Sequence, residues 1–154
     1  MKRLFTGFGI PAAVIALVLA GGHSAWAQRA GTVEVYKTPT CGCCHLWVKH
    51  LQENGFTARV TDMEDLSAIK KKYGVPARAT SCHTAVVGGY VLEGHVPAAE
   101  VKRLLKEKPA VAGLAVAGMP VGSPGMEVGR TVQPYNVLAF DKAGQLKVYS
   151  SYPR

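Results

Sequence analysis

The chain has 154 residues, of which 48% are hydrophobic and 18% charged, and carries a formal net charge of +8. That is enough for one ordinary domain with a real core, and no internal repeat argues for a second. The basic balance alone would invite nucleic acid as a partner, but an export signal at the front of the chain argues against it.

Residues 1–27 read as a secretory signal peptide. Lys2 and Arg3 give the positive start, Ile10 to Ala20 is an apolar run broken by Pro11, and Ala25-Trp26-Ala27 offers the small residues of a cleavage site. The run is shorter than the roughly 20 apolar residues of a spanning helix. Cleavage after Ala27 is therefore expected, leaving residues 28–154 as a single domain with no membrane span. Losing Lys2 and Arg3 lowers the net charge from +8 to +6. Lys70-Lys71-Lys72 and Lys102, Arg103, Lys106 and Lys108 carry much of it and read as solvated helix faces, with at most a weak pull toward anionic surfaces. Export also means an environment in which disulfides form and persist.

Thr32 to Tyr36 alternates and is rich in β-branched residues, so it is a strand. Thr38-Pro39-Thr40 breaks it. A helix follows from Cys44, whose apolar stripe is Cys44, Trp47, Val48 and Leu51, and Asn54-Gly55 ends it. Phe56 to Thr61 is a second strand. Asp62 to Tyr73 reads as a helix, acidic at its start and basic at its end. Thr84 to Val87 and Tyr90 to Glu93 make a hairpin about Gly88-Gly89. Pro97 opens a third helix with Val101, Leu104 and Leu105 inward. Residues 113–129 show no periodicity. Val137 to Phe140 and Leu146 to Ser150 form a closing hairpin. This order predicts an α/β fold: a thioredoxin-like mixed sheet with flanking helices, plus a C-terminal loop and β-hairpin.

The chemistry is concentrated in Thr40-Cys41-Gly42-Cys43-Cys44, three thiols in four residues between the first strand and the first helix. Cys82 is the only other cysteine. A thiol at a helix N-terminus ionises easily, and the thiolate is both a nucleophile and a soft-metal ligand. Read as Cys41-x-x-Cys44, the motif is a redox pair with Cys44 shielded. Cys43 has no place in that scheme and argues for metal. All-structural disulfides fit poorly, because each full pairing of the four puts a bridge inside the cluster. Structural zinc prefers paired ligands with spacers. Bridging thiolates shared by several Cu(I) ions suit the spacing better, and an iron–sulfur cluster lacks a recognised spacing. Met119 and Met126, each after a glycine in the irregular stretch, are soft thioethers that fit Cu(I) or fill gaps over the core. His45 and His83 flank the cysteines and are open as ligands. His50 is expected to face solvent, and His95 to cap or orient the turn before Pro97.

TPTCGCCHLWVKHL, SCHTAVVGGYVLEGHVP and GLAVAGMPVGSPGMEVG together resemble the CopG-type periplasmic copper-resistance proteins, a thioredoxin-like group marked by Cys-x-Cys-Cys. The resemblance covers nearly all of residues 28–154. It implies a periplasmic copper-binding protein with a thiolate-held, multinuclear Cu(I) site and a role in Cu(I)/Cu(II) interconversion. Carried over by motif, Cys41, Cys43, Cys44 and Cys82 are the core ligands, and Met119 and Met126 outer ones. Copper ions are the expected cargo, and other periplasmic copper-handling proteins the expected partners. One departure from working thioredoxins stands out: Ser81-Cys82-His83 occupies the region where those enzymes place a cis-proline. The competing readings are a thiol–disulfide oxidoreductase using Cys41 and Cys44, and a domain whose disulfides are purely structural.

Overall fold

A computed structural model describes residues 31–153. The expected signal peptide and its cleavage point lie outside the described residues. Among these, no helix is long and apolar enough to cross a membrane.

The elements in order are β1 (Thr32–Lys37), α1 (Gly42–Glu53), β2 (Thr57–Asp62), α2 (Ser67–Lys72), a 3-10 turn (Ala77–Ala79), β3 (Thr84–Val87), β4 (Tyr90–Glu93), α3 (Ala98–Glu107), β5 (Gly113–Ala115), β6 (Tyr135–Phe140) and β7 (Leu146–Tyr152). The strands form one mixed α/β sheet in the order β2-β1-β3-β4-β5-β6-β7. β1 runs parallel to β2 and antiparallel to β3, and β4 runs parallel to β5. The remaining pairs are antiparallel.

Strand alternation divides the core between two faces. Leu92, Leu114 and Ala139 join the larger cluster, with Trp47, Val48 and Leu51 of α1 and Val101 and Leu104 of α3. Their neighbours Val91, Ala115 and Phe140 join the smaller one, with Ala79 and the half-buried Tyr73 and Val75. So α1 and α3 cover one face, while the segment around α2 covers the other. Each fully buried Leu or Val contributes about 1.5–3 kcal/mol. The expected stripe of α1 is the observed one: Cys44, Trp47, Val48 and Leu51 are its buried residues.

The β3–β4 hairpin turns on Gly88 and Gly89, both at positive φ (56° and 84°), which suits a tight two-residue connection. Its register pairs Thr84 with Glu93. The hairpin thereby carries Cys82 to the end of the strand beside β1, and the β1–α1 joint carries the thiol triplet to the same end of the sheet.

Four expectations need correction. Asp62 to Tyr73 is not one helix. Asp62 closes β2 opposite Lys37, with an ion pair at 2.7 Å, and α2 starts only at Ser67. Lys70 is not part of a solvated face: its ammonium donates to Glu93, a carboxylate with no solvent exposure. His50 is half-buried, and its Nε2 accepts the Ala98 N–H at 3.1 Å. Pro97 gives α3 no side-chain cap, so His50 supplies one from the neighbouring helix. The aperiodic stretch 113–129 contains β5, three buried residues whose strand character comes from β4 and β6 on either side.

Candidate metal centre

Cys41 is the N-cap of α1, and its Sγ accepts the Cys44 N–H at 3.3 Å. A sulfur thus stands in for the usual capping oxygen at the positive end of the helix. One helical turn separates Cys41 from Cys44 (Cα–Cα 5.3 Å), and the two are joined as a disulfide. Cys44 lies on the buried stripe, while Cys41 and Cys43 are half-exposed. Cys43 keeps a free thiol, 3.5 Å from the Cys41 sulfur and 3.9 Å from that of Cys82.

Cys82 comes from the approach to β3. Its position is set by Glu93, whose Oε1 accepts the Ser81 N–H and whose Oε2 accepts the Thr84 hydroxyl. The result is four sulfur atoms, from two segments far apart in sequence, all within 4.8 Å of one another. These are the four cysteines singled out in the sequence.

The late, irregular segment covers this pocket. Ser81 donates its hydroxyl to Gly118 O, and Gly118 N–H donates back to Thr80 O at 3.1 Å. Further on, Gly125 lies so close to the first turn of α1 that a Cβ there would sit 2.7 Å from Cys43 O and 2.8 Å from Trp47 N. Met119 follows the first of these contacts and is exposed; Met126 follows the second and is half-buried. Both methionines therefore sit next to the contacts this segment makes with the two cysteine-bearing joints. His45 is exposed on the opposite side of its helix turn from buried Cys44 and is not among the clustered donors.

Two histidines stand closer than expected. His83 is fully buried, with Nδ1 3.4 Å from the Cys82 sulfur. His95, expected to orient a turn, is also buried and puts Nε2 3.1 Å from the same sulfur. Counting pairs outward from Gly88-Gly89 sets residue 95 opposite residue 82, so the hairpin itself was the available signal. Electrostatics keep these donors neutral. Burial, then the neighbouring Cys43, pushes the Cys82 thiol up to about 12. Burial lowers His95, and burial together with His95 and Lys70 lowers His83 well below the usual imidazole value.

Such a set of donors can do two things. Reduced, it offers up to four thiolates to a soft ion. Oxidised, it stores two electrons' worth of oxidation in the Cys41–Cys44 bond. Two solved structures, forms 1 and 2 of a copper resistance protein CopG, are 44% and 45% identical to this chain, each with a TM-score of 0.76. Each covers 80% of this chain and 98% of its own. The chain belongs to the CopG copper-resistance family. Residues 79–126 also match a family described as "Protein of unknown function, DUF411". That match spans Cys82, both buried histidines and both loop methionines, while the thiol triplet lies outside it. No curated protein matches the chain.

Proposed function

We propose that this chain is a periplasmic copper-binding protein of copper resistance. It holds Cu(I) in a thiolate-bridged, multinuclear site built from Cys41, Cys43, Cys44 and Cys82, with Met119 and Met126 as outer thioether ligands. Residues 1–27 direct export and residues 28–154 form the working domain. The observation that carries this reading is the convergence of four sulfur atoms within 4.8 Å. Thiolates and thioethers select Cu(I) over harder ions, and four thiolates around one point bridge several such ions more readily than they surround one. Similarity to proteins described as copper resistance proteins supports copper as the cargo. Other copper-handling proteins of the same compartment load and unload the site.

The Cys41–Cys44 pair gives this reading a redox step. Two Cu(II) ions each take one electron, Cys41 and Cys44 lose two electrons and two protons and form their bond, and two Cu(I) ions remain. Reduction of the disulfide by a dithiol then restores the full ligand set.

Anaerobic titration of the fully reduced chain with Cu(I), followed by metal analysis, tests the proposal. More than one copper per chain is expected, with the number reduced in Cys43→Ser. A stoichiometry of zero, or retention of zinc but not copper, overturns it.

A second reading has its own support in the half-exposed Cys41 bonded to buried Cys44 at a helix start, an arrangement suited to thiol–disulfide exchange. An insulin-reduction assay separates the two. Strong turnover that survives loss of Cys43, Met119 and Met126 favours the oxidoreductase.

A further inference from the structure

Cys82 has a second group of neighbours that the copper reading leaves unused. The sulfur of Cys82, a ring nitrogen of His83 and a ring nitrogen of His95 all lie within 4.8 Å of one another. The separations from sulfur are 3.1 Å to His95 Nε2 and 3.4 Å to His83 Nδ1. Around a tetrahedral zinc, with bonds of about 2.3 Å to sulfur and about 2.0–2.1 Å to nitrogen, adjacent donors stand roughly 3.4–3.8 Å apart. The His83 separation is close to such an edge, and the His95 separation is a few tenths of an ångström shorter, so the two groups part slightly to admit an ion.

The tautomer of His95 is fixed. Its Nδ1 lies 2.8 Å from Pro124 O, a carbonyl that can only accept, so Nδ1 carries the hydrogen and Nε2 presents a lone pair to the Cys82 sulfur. An outer bond of this kind is what orients a metal-ligating imidazole. His83 is held differently. Its ring lies against Trp47, with centroids 4.3 Å apart, and edge-on to His95 at 5.1 Å. Its remaining nitrogen, Nε2, is buried without a hydrogen-bond partner. Its Nδ1, 3.4 Å from the Cys82 sulfur, is the ring atom placed to meet a metal ion beside that sulfur.

None of the three belongs to the Cys41–Cys44 bond. We propose that Cys82, His83 and His95 form a second sulfur–nitrogen metal position, sharing Cys82 with the four-sulfur set and available while Cys41 and Cys44 are joined, that takes a borderline divalent cation of the zinc type. Mixed imidazole and thiolate donors suit such an ion, whereas the neighbouring all-sulfur set suits Cu(I). Binding ionises Cys82 and releases its proton to solvent, leaving one thiolate and two neutral imidazoles on the ion. Cys43, 3.9 Å from the Cys82 sulfur, is a further donor within reach. The protein then has two metal preferences set by one bond: soft ions when the cluster is reduced, borderline ions when it is oxidised.

The test uses the full chain with the Cys41–Cys44 bond confirmed by mass and two free thiols counted. It is titrated anaerobically with Zn(II) against a chromophoric chelator, and the zinc-edge X-ray absorption spectrum is recorded. One zinc per chain is expected, in a mixed sulfur and nitrogen shell with outer scattering from imidazole. His95→Asn keeps an amide donor on the Pro124 side and removes Nε2. It is expected to weaken zinc by more than the roughly 10–100-fold that loss of an outer-shell partner brings. Absence of zinc, an all-sulfur shell, or unchanged affinity in a folded His95→Asn variant overturns the proposal. Should that variant not fold, the wild-type absorption spectrum decides alone. The copper reading is judged separately, by Cu(I) uptake of the reduced chain.

Discussion

The carboxylate of Glu93 accepts the backbone N–H of Ser81 at 2.7 Å. With the Thr84 hydroxyl on its other oxygen, it fixes the chain on both sides of Cys82-His83. Burial raises the Glu93 carboxyl above the usual glutamate value, against the pull of Lys70, Thr84 and Ser81. Glu93→Ala strands Lys70 and the Ser81 N–H, and is expected to cost about 3–5 kcal/mol in urea unfolding, the range for breaking a buried pair from one side. Glu93→Gln keeps one acceptor for the Ser81 N–H but neither the charge facing Lys70 nor the second acceptor oxygen, and is expected to recover only part of that loss. An equal loss in both variants would count against this account.

Gly125 combines a φ of +85° with its contact to the first turn of α1. Gly125→Ala meets both the left-handed backbone penalty, about 1–2 kcal/mol, and a collision with backbone that cannot rotate away. Destabilisation of about 2–4 kcal/mol is expected from the two together, with weakened Cu(I) retention in the fraction that folds. Chemical unfolding and copper analysis on the same sample check it; a neutral substitution would mean that the loop does not press on the helix.

In the metal-free disulfide form Cys43 and Cys82 are the free thiols. Cys82, raised to about 12 by burial and by Cys43, is protonated across the neutral range. Its reactive thiolate grows about tenfold per pH unit until that value is passed. Iodoacetamide followed by mass spectrometry should therefore modify Cys82 only slowly at neutral pH. The rate at Cys82 should still be climbing above pH 9, past the roughly 8.5 of a free cysteine. A plateau near that ordinary value would contradict the assignment.

Met119 and Met126 test the outer shell. Leucine is close to methionine in volume, and such swaps cost less than about 1.5 kcal/mol. Met119→Leu with Met126→Leu should leave the unfolding midpoint nearly unchanged. Cu(I) should pass more readily to a competing chelator. Equal retention in both proteins would reduce the two residues to gap fillers.

Much of this was legible in the sequence, for physical reasons that differ by element. The stripe of α1 repeats every turn and buries as it reads. The hairpin is written in two glycines whose positive φ few other residues tolerate. The thiol cluster follows from both, since each delivers its cysteines to one end of the sheet. The second helix was overread because the charges from Asp62 onward imitate a helix start, while the parallel ladder with β1 and the Lys37 ion pair hold Asp62 in a strand. β5 carries no local signal, being three small or apolar residues made into a strand by their neighbours. His50 and Lys70 looked like surface groups because their partners, Ala98 and Glu93, lie far along the chain. His95 could have been found by extending the hairpin register two pairs past Glu93.

Gly125 lies against the turn that bears Cys43, more than eighty positions later in the chain. A chain that folds from its N-terminal end exposes its thiol triplet early, but the wall beside that turn is complete only once this late stretch has docked. A molecule truncated before it keeps the same cysteines and lacks that wall.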